Sequence, residues 1–491
     1  MKKGRVLQYR ILPIFLGGDK MLKIDIPYRF SRYCKVFQRE NIVALYHSLK
    51  MRVIYLEKSI FSKLETLNVG ITPTMLLKTL KRETSQKSVK EALAVLEEAG
   101  LIAPVLEKED LLEKIQEHFL GKPRIEMMYL LITDQCNLRC SYCYLNTYTP
   151  IDFKFRKMNF STARKAVDLF VDVAGKYGSD DVKVITLYGG EPLSNWPVFK
   201  DVVEYVNFLR TSNGVAKRIK LITITNGTLI TPEIASFLKK NNVSMGISID
   251  GTPSAVNAHR KFVNGKGSFR EIIRGYRYLV NAGVETGISC TLIPENLENF
   301  PETLRYLLDE IKIKDSVSFN LLHHNSAILV TTDYLLKASR AIIDAFELFR
   351  KRGIYEERMM RKLTPFVEKR ATLYDCGGCG QQLAVSPDGK VGTCHDCLRA
   401  DKYIATTVDD RNFNPLENKI FVEWSKRSPF GMPQCYDCPA IAICGGGCPV
   451  DAEFQYGSIW SVDTRFCFHS KSALEWIIWD QYSQMGQKLL Q

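Results

Sequence analysis

No stretch of this chain reaches the roughly 18–20 apolar residues that a membrane span needs, and no signal-peptide pattern opens it. Internal repeats and low-complexity tracts are missing too, which argues against solenoids and linker-like disorder. Acidic residues are scarce at one end only. Residues 1–90 hold 19 basic and 6 acidic side chains, a net +13, while residues 91–491 hold 48 of each. The excess charge therefore belongs to the first fifth of a 491-residue chain, long enough for two or three domains. Hydrophobic residues at 45% and charged residues at 25% are ordinary for a folded protein. Fourteen cysteines are few for a disulfide scaffold and many for a reducing compartment. Cys34 and Cys290 stand alone, three lie between Cys136 and Cys143, and nine crowd Cys376 to Cys467. Without a secretory signal, such spacing reads as metal or cluster ligation rather than disulfide bonding.

The first part, residues 1–105, reads as a small basic module. Asn41–Leu56 is rich in Val, Ile and Tyr, as in a hairpin. One helix is expected from about Thr72, with Pro73 at its first position and Leu76, Leu77 and Leu80 on one face. Another is expected from about Ser85, with Val89, Ala92, Leu93 and Leu96 at helical spacing and Gly100 ending it. Strands followed by short helices suggest a winged-helix-like module. Glu107–Phe119 is a charged linking helix.

From Met127 the pattern becomes strand–helix alternation. Strands are expected at Met127–Thr133, Val182–Tyr188, Arg218–Thr225, Met245–Ile249, Thr286–Leu292 and Ser316–Leu321. Between them, Ala163, Ala166, Val167, Phe170, Val171 and Ala174 follow the spacing of one helix face. Six such units imply an α/β fold with a parallel sheet, open or curled into a partial (β/α)6 barrel, and chemistry at the strand C-terminal ends. The core is placed at residues 122–350, including a helix over Tyr334–Arg352, and the cysteine-dense region at 351–491.

Directly after the first of these strands stands Cys136-x3-Cys140-x2-Cys143. Three thiolates on one short loop suit three irons of a 4Fe-4S cluster and leave the fourth iron free to chelate a small molecule. Structural zinc is the competing reading, but it usually takes four ligands, and no His or fourth Cys lies nearby. Gly189-Gly190-Glu191-Pro192 follows the second strand, Thr225-Asn226-Gly227 ends the third, and Ser248-Ile249-Asp250-Gly251 ends the fourth.

Together these segments resemble the radical S-adenosylmethionine (SAM) superfamily. The resemblance implies that SAM lies near Tyr142 by its adenine. It places the methionine amino group at Gly189, Gly190 and Glu191. Thr225, Asn226, Ser248 and Asp250 become partners for the ribose or carboxylate. It further implies reductive cleavage to a 5′-deoxyadenosyl radical that takes hydrogen from a substrate, with an electron from a one-electron reductant such as ferredoxin or flavodoxin.

Cys379-x9-Gly389-x4-Cys394 and Cys435-x2-Cys438-x5-Cys444-x3-Cys448, then Cys467, resemble the SPASM extension of radical SAM peptide and protein maturases. By that resemblance Cys376, Cys379, Cys394 and Cys448 hold one auxiliary 4Fe-4S cluster, and Cys435, Cys438, Cys444 and Cys467 a second. Cys397, forming Cys394-x2-Cys397, stands as an alternative to Cys376, and paired C-x2-C units also fit zinc ribbons. His395 and Asp396 follow Cys394, where sulfatase-maturing relatives carry an acidic base directly after the cysteine. They are the candidate catalytic residues. His323 and His324, at the end of the sixth strand, face the same end of the sheet.

Two enzyme readings follow. One is a maturase of a ribosomally made precursor peptide, forming a thioether, C–C or similar bond, with the basic module capturing an acidic leader. The alternative is an anaerobic sulfatase maturase oxidising Cys or Ser to formylglycine, which would not require the basic extension. A basic winged helix also suits nucleic acid, but then the GGEP, TNG and SIDG segments would lack a purpose. The expected setting is a reducing cytoplasm.

Overall fold

The computed structural model describes residues 23, 25–79, 86–143, 145, 153–324 and 326–489. Leu80, Ser85 and residues 1–22 of the basic segment lie outside the described residues. In chain order the strands are β1 (Tyr28–Phe30), β2 (Cys34–Arg39), β3 (Ile42–His47), β4 (Val53–Glu57), β5 (Ile102–Pro104), β6 (Met127–Thr133), β7 (Lys183–Gly189), β8 (Ile219–Thr225), β9 (Ser244–Ser248), β10 (Thr286–Thr291), β11 (Ser316–Asn320), β12 (Tyr355–Glu356), β13 (Gln382–Val385), β14 (Lys390–Gly392) and β15 (Ile404–Thr407).

The six strands expected from Met127 onward all form, each within a residue of its expected bounds, as β6 to β11. They lie in sequence order in one ten-stranded sheet, β12-β11-β10-β9-β8-β7-β6-β13-β14-β15. Every pairing from β12 to β13 is parallel, and only β13–β14 and β14–β15 are antiparallel. The protein is thus an α/β protein with a large, mostly parallel sheet. The cysteine-dense region supplies four strands to it, β12 to β15. Sequence patterning did not show them because β12–β15 are only two to four residues long.

Alternation along the strands explains how the sheet presents a site. One face is closed by helices such as Phe160–Tyr177, on which the six expected apolar positions are all buried. Asn159 caps that helix by accepting from the Thr162 N–H. The opposite face carries half-buried side chains, among them Tyr129, Tyr188, Ile224, Ser289, Ser318 and Asn320. This polar, aromatic lumen runs to the strand C-terminal ends. At the other end, the fully buried Lys183 ammonium meets Glu126, whose carboxylate also accepts from Arg124 Nε (2.7 Å) and the Ser179 N–H (2.9 Å).

Residues 28–104 build an antiparallel β1–β5 pair and a three-stranded β2-β3-β4 sheet. The expected hairpin is β3–β4, with β2 added in front. Helices Pro73–Thr79 and Gln86–Glu98 follow, and Gly100, with φ +76°, ends the second. Alternate residues of β3 enter two cores. Val43 and Leu45 pack with Tyr28, Leu76, Leu93 and Leu96. Ala44 and Tyr46 pack with Phe366, Leu474, Ile477 and Ile478 of the cysteine-dense region. The Tyr46 and Phe366 rings stack at 6.1 Å, Tyr55 Oη donates to the Ile478 carbonyl (2.6 Å), and Lys369 Nζ donates to the Met51 carbonyl (2.6 Å). The N-terminal strands are therefore docked by a buried face.

Tyr46→Ala should remove about 3 kcal/mol of packing at this junction. Limited proteolysis should then cut first between Val105 and Asp110, where Leu106 is 95% exposed. An unchanged cleavage pattern and unfolding midpoint would contradict the docking.

Candidate active site

Cys136, Cys140 and Cys143 occupy the loop leaving β6. Thr133 starts the turn, its Oγ1 accepting from the Gln135 N–H (3.0 Å). The loop is held from outside by a returning segment: Arg139 N–H donates to the Lys261 carbonyl (2.7 Å) and Ser141 N–H to the His259 carbonyl (3.2 Å). From inside it is held by the glycine turn after β7. Gly190 N–H donates to Thr133 O (3.0 Å), and Glu191 N–H to Gln135 O (2.7 Å). A Cβ on Gly189 would lie 2.0 Å from Thr133 O, and one on Gly190 2.3 Å from Gln135 O. Only glycine lets the two strand ends approach so closely.

The thiols face one another's charge. Burial pushes the half-buried Cys140 up to about 11, and the neighbouring thiols add to the upward shifts of Cys136 and Cys140, although Cys136 is exposed. Three crowded soft donors that resist ionising together match a cationic iron–sulfur cluster, which supplies the missing positive charge. The three soft donors on one loop suit the cluster implied by their spacing, although among the described residues no group of three or more His, Cys, Asp or Glu side chains is arranged to hold a single metal ion.

The expected SAM-contacting residues all lie at the strand ends around this loop, but several are bonded to the protein itself. Glu191 is fully buried; its carboxylate accepts from Leu193 N–H (3.0 Å), Thr225 Oγ1 (2.8 Å) and Asn226 N–H (2.8 Å). Asn226 Nδ2 donates to Asn137 Oδ1 (2.8 Å), and Asn137 Nδ2 to Thr228 Oγ1 (2.8 Å), which ties the β8 end to the cysteine loop. Asp250 is also fully buried. It accepts from Arg260 Nε (2.7 Å), the Thr291 N–H (2.8 Å) and the Tyr142 hydroxyl. Ser248 pairs in register with Ser289 at the neighbouring strand end.

Arg260 was not singled out in the sequence. It sits in a basic stretch that reads as a solvated loop, yet its guanidinium is buried between Asp250 and Cys140, with Nη1 3.9 Å from the Cys140 sulfur. Its one signal, the position ten residues beyond Asp250, gains meaning only once the partners are seen together.

His395 opens into the lumen. Its ring stacks on Tyr129 at 4.6 Å and meets the edge of Tyr188 at 5.1 Å; Asp396 Oδ1 lies 3.2 Å from its Nε2. Burial lowers its pKa, which favours the neutral ring. Near it, Asp451 is paired with His324 Nδ1 (2.6 Å), His323 Nδ1 (3.3 Å) and Arg465 Nε (2.9 Å).

The remaining cysteines fall into two neighbourhoods. Cys376, Cys379, Cys394, Cys397 and Cys448 lie within reach of one another's charge and are raised by burial, and the hydrogen bond shared by Cys394 and Cys397 raises Cys394 while lowering Cys397. Cys435, Cys438, Cys444 and Cys467 form the other group. Cys376 and Cys397 both belong to the first, so the sequence ambiguity between them persists in space.

Residues 130–307 match the family model described as the Radical SAM superfamily. The chain belongs to the radical SAM superfamily. It is similar to the radical SAM cyclopropyl synthase TigE of Paramaledivibacter caminithermalis, 24% identical over 470 residues that cover 89% of this chain and 93% of that one. The solved structure of native anSMEcpe with bound AdoMet shares its fold, with a TM-score of 0.61, 19% identity and coverage of 74% of this chain and 99% of that one. Streptococcus suis SuiB bound to the precursor peptide SuiA also shares it, with a TM-score of 0.52, 15% identity and coverage of 90% and 99%. Similarity to SPASM-type members thus runs along most of this radical SAM enzyme. No helix of the described residues is long and apolar enough to cross a membrane.

Burial pushes the Glu191 carboxyl of this radical SAM enzyme from 4.5 up to about 7. The folded state then retains a proton that the unfolded chain releases. The associated stability is complete below pH 4.5 and is lost as pH rises through about 7. Glu191→Gln should shrink the stability difference between pH 5 and 8 by up to roughly 3 kcal/mol. Glu356, raised in the same way to about 7, keeps a residual slope. Chemical denaturation at the two pH values checks this; an unaltered difference in the variant would contradict it.

Proposed function

We propose that this enzyme is a SPASM-type maturase of a ribosomally made precursor peptide. The carrying observation is one of extent. The fold shared with SuiB, solved with its precursor peptide, covers 90% of the chain, against 74% for the shorter anSMEcpe. A sulfatase maturase would not require the additional N-terminal structure. Residues 28–104, with the basic segment before them, form the recognition module in this reading. An acidic leader is the matching ligand by charge.

Cys136, Cys140 and Cys143 would hold the SAM-binding 4Fe-4S cluster. Cys379, Cys394 and Cys448 with Cys376 or Cys397, and Cys435, Cys438, Cys444 and Cys467, would hold two auxiliary clusters. When bound, the cluster and SAM supply the electron and the hydrogen-abstracting 5′-deoxyadenosyl group. The chain's own contribution is positional. Glycines 189 and 190 expose backbone beside the cysteine loop, and Tyr142, Thr225, Asn226 and Ser248 line the strand ends where SAM would lie. Tyr129, Tyr188 and Ile224 wall the lumen against water. His395, its neutral ring held against Tyr129 and Tyr188, would accept a proton at a ring nitrogen from a substrate residue after hydrogen loss.

The test uses a precursor peptide deuterated in its core segment, with SAM and dithionite under anaerobic conditions. Deuterium should appear in 5′-deoxyadenosine, and the peptide should lose the mass of two hydrogens as a crosslink forms. Conversion of a Cys/Ser-x-Pro-x-Arg peptide to formylglycine, without any change in the precursor, would favour the sulfatase alternative and contradict this one.

A further inference from the structure

Ion pairs four residues apart recur on this molecule's surface helices. Arg164–Asp168, Lys176–Asp172, Lys200–Glu204, Lys337–Asp333 and Arg340–Asp344 all join side chains four residues apart. Helix Phe269–Asn281 breaks the pattern. Arg270, Arg274 and Arg277 share one face, all are exposed, and none has an ion-pair partner among the described residues. The helix carries a single acid, the half-buried Glu271. The three arginines line a shallow groove of about 490 Å³ whose apolar part is Phe269, Ile273 and Tyr278. Phe269 packs in turn on Tyr306 at 6.1 Å. Just before the helix, Lys261 and Lys266 are exposed as well, and Arg139 beside them is exposed on the cysteine loop. Because residues 91–491 are electrically balanced overall, this concentration is local.

Its location gives it meaning. Ser268, the residue before the helix, donates its hydroxyl to the Arg260 carbonyl (2.7 Å), and Arg260 Nη1 lies 3.9 Å from the Cys140 sulfur. Arg139 and Ser141, flanking Cys140, are hydrogen-bonded to Lys261 and His259 of the same segment. The arginine face is thus joined to a cluster-ligand thiol through one residue and two contacts.

We propose that this face, Arg270, Arg274 and Arg277 continued by Lys261 and Lys266, is the docking surface for an acidic one-electron carrier protein. Charge complementarity orients the carrier. Its reduced centre gives up one electron and the cluster on Cys136, Cys140 and Cys143 gains one; no bond to the protein forms or breaks. Arg260 is the positioning residue that connects the docking helix to Cys140. The proposal rests on the cysteine loop holding that cluster.

The experiment compares wild type with R270E/R274E/R277E, each loaded with iron and sulfide, by calorimetric binding of an oxidised acidic flavodoxin, which the variant should weaken about tenfold, and in SAM-cleavage assays driven either by dithionite or by the same flavodoxin reduced. With flavodoxin, 5′-deoxyadenosine release by the variant should fall about tenfold or more, with a raised half-saturating flavodoxin concentration. With dithionite, which needs no protein docking, release should equal that of wild type. For the wild type, raising salt from about 0.05 to about 0.3 M should slow the flavodoxin arm selectively. Equal loss in both arms, an unchanged flavodoxin arm, or a selective loss of precursor-peptide binding would each overturn the proposal. No release by wild type in either arm would overturn the cluster assignment along with it. R270Q/R274Q/R277Q, which adds no negative charge, should show the same selective loss to a smaller degree.

Discussion

The buried ion pair between Asp250 and Arg260 is the contact on which the site's geometry depends. One carboxylate gathers the Tyr142 hydroxyl from the cysteine loop, the Arg260 guanidinium from the returning segment and the Thr291 N–H from the end of β10. Asn296 Nδ2 adds a donor to the Asp250 carbonyl (3.1 Å). Four separate pieces of chain are thereby referenced to one fully buried point. A buried pair of this kind contributes little net stability over an apolar substitute, but removing one partner leaves an unpaired charge in the interior. Its effect here is specification: it fixes where the three thiols stand relative to the strand ends.

Glu191 does the same work on the other side. It binds the glycine turn after β7 to Thr225 and Asn226 after β8, and Asn226 continues to Asn137 between the first two cysteines. The two acids lie inside segments whose resemblance suggested direct contact with SAM. In the structure both carboxylates are engaged by the chain. Under the proposed function, direct contact with SAM would fall to exposed backbone, Tyr142 and the Ser248 and Ser289 hydroxyls, while the acids set the positions of those groups.

Much of this was legible in the sequence because it is local. The runs LITIT in β8 and VITLY in β7 read as strands from a few residues each, and one helix face was visible as six apolar positions between Ala163 and Ala174. The cysteine spacings likewise placed the thiols on short loops. Contacts between distant segments left no such trace. Arg260 looks like one more cation in a basic loop, and the short strands β12–β15 lack a period to detect. Tyr46 reads as a hairpin residue, not as the ring that docks the N-terminal strands on Phe366. The opening charge asymmetry also changes meaning. The +13 belongs to residues 1–90, whose described strands β2–β4 pack onto the cysteine-dense region, and within the balanced remainder a second, smaller cationic surface leads to Cys140.

Iron content and the electron paramagnetic resonance spectrum of anaerobically loaded Asp250→Asn, measured beside wild type, test the organising role of the Asp250–Arg260 pair most directly. Wild type should hold about twelve irons in three four-iron clusters, one of whose reduced signals changes when SAM is added. The variant should hold about eight and lack the SAM-responsive signal, because the loop bearing Cys136, Cys140 and Cys143 has lost its reference point. A variant with the full iron content and an unchanged response to SAM would contradict the claim that the Asp250–Arg260 pair organises the site.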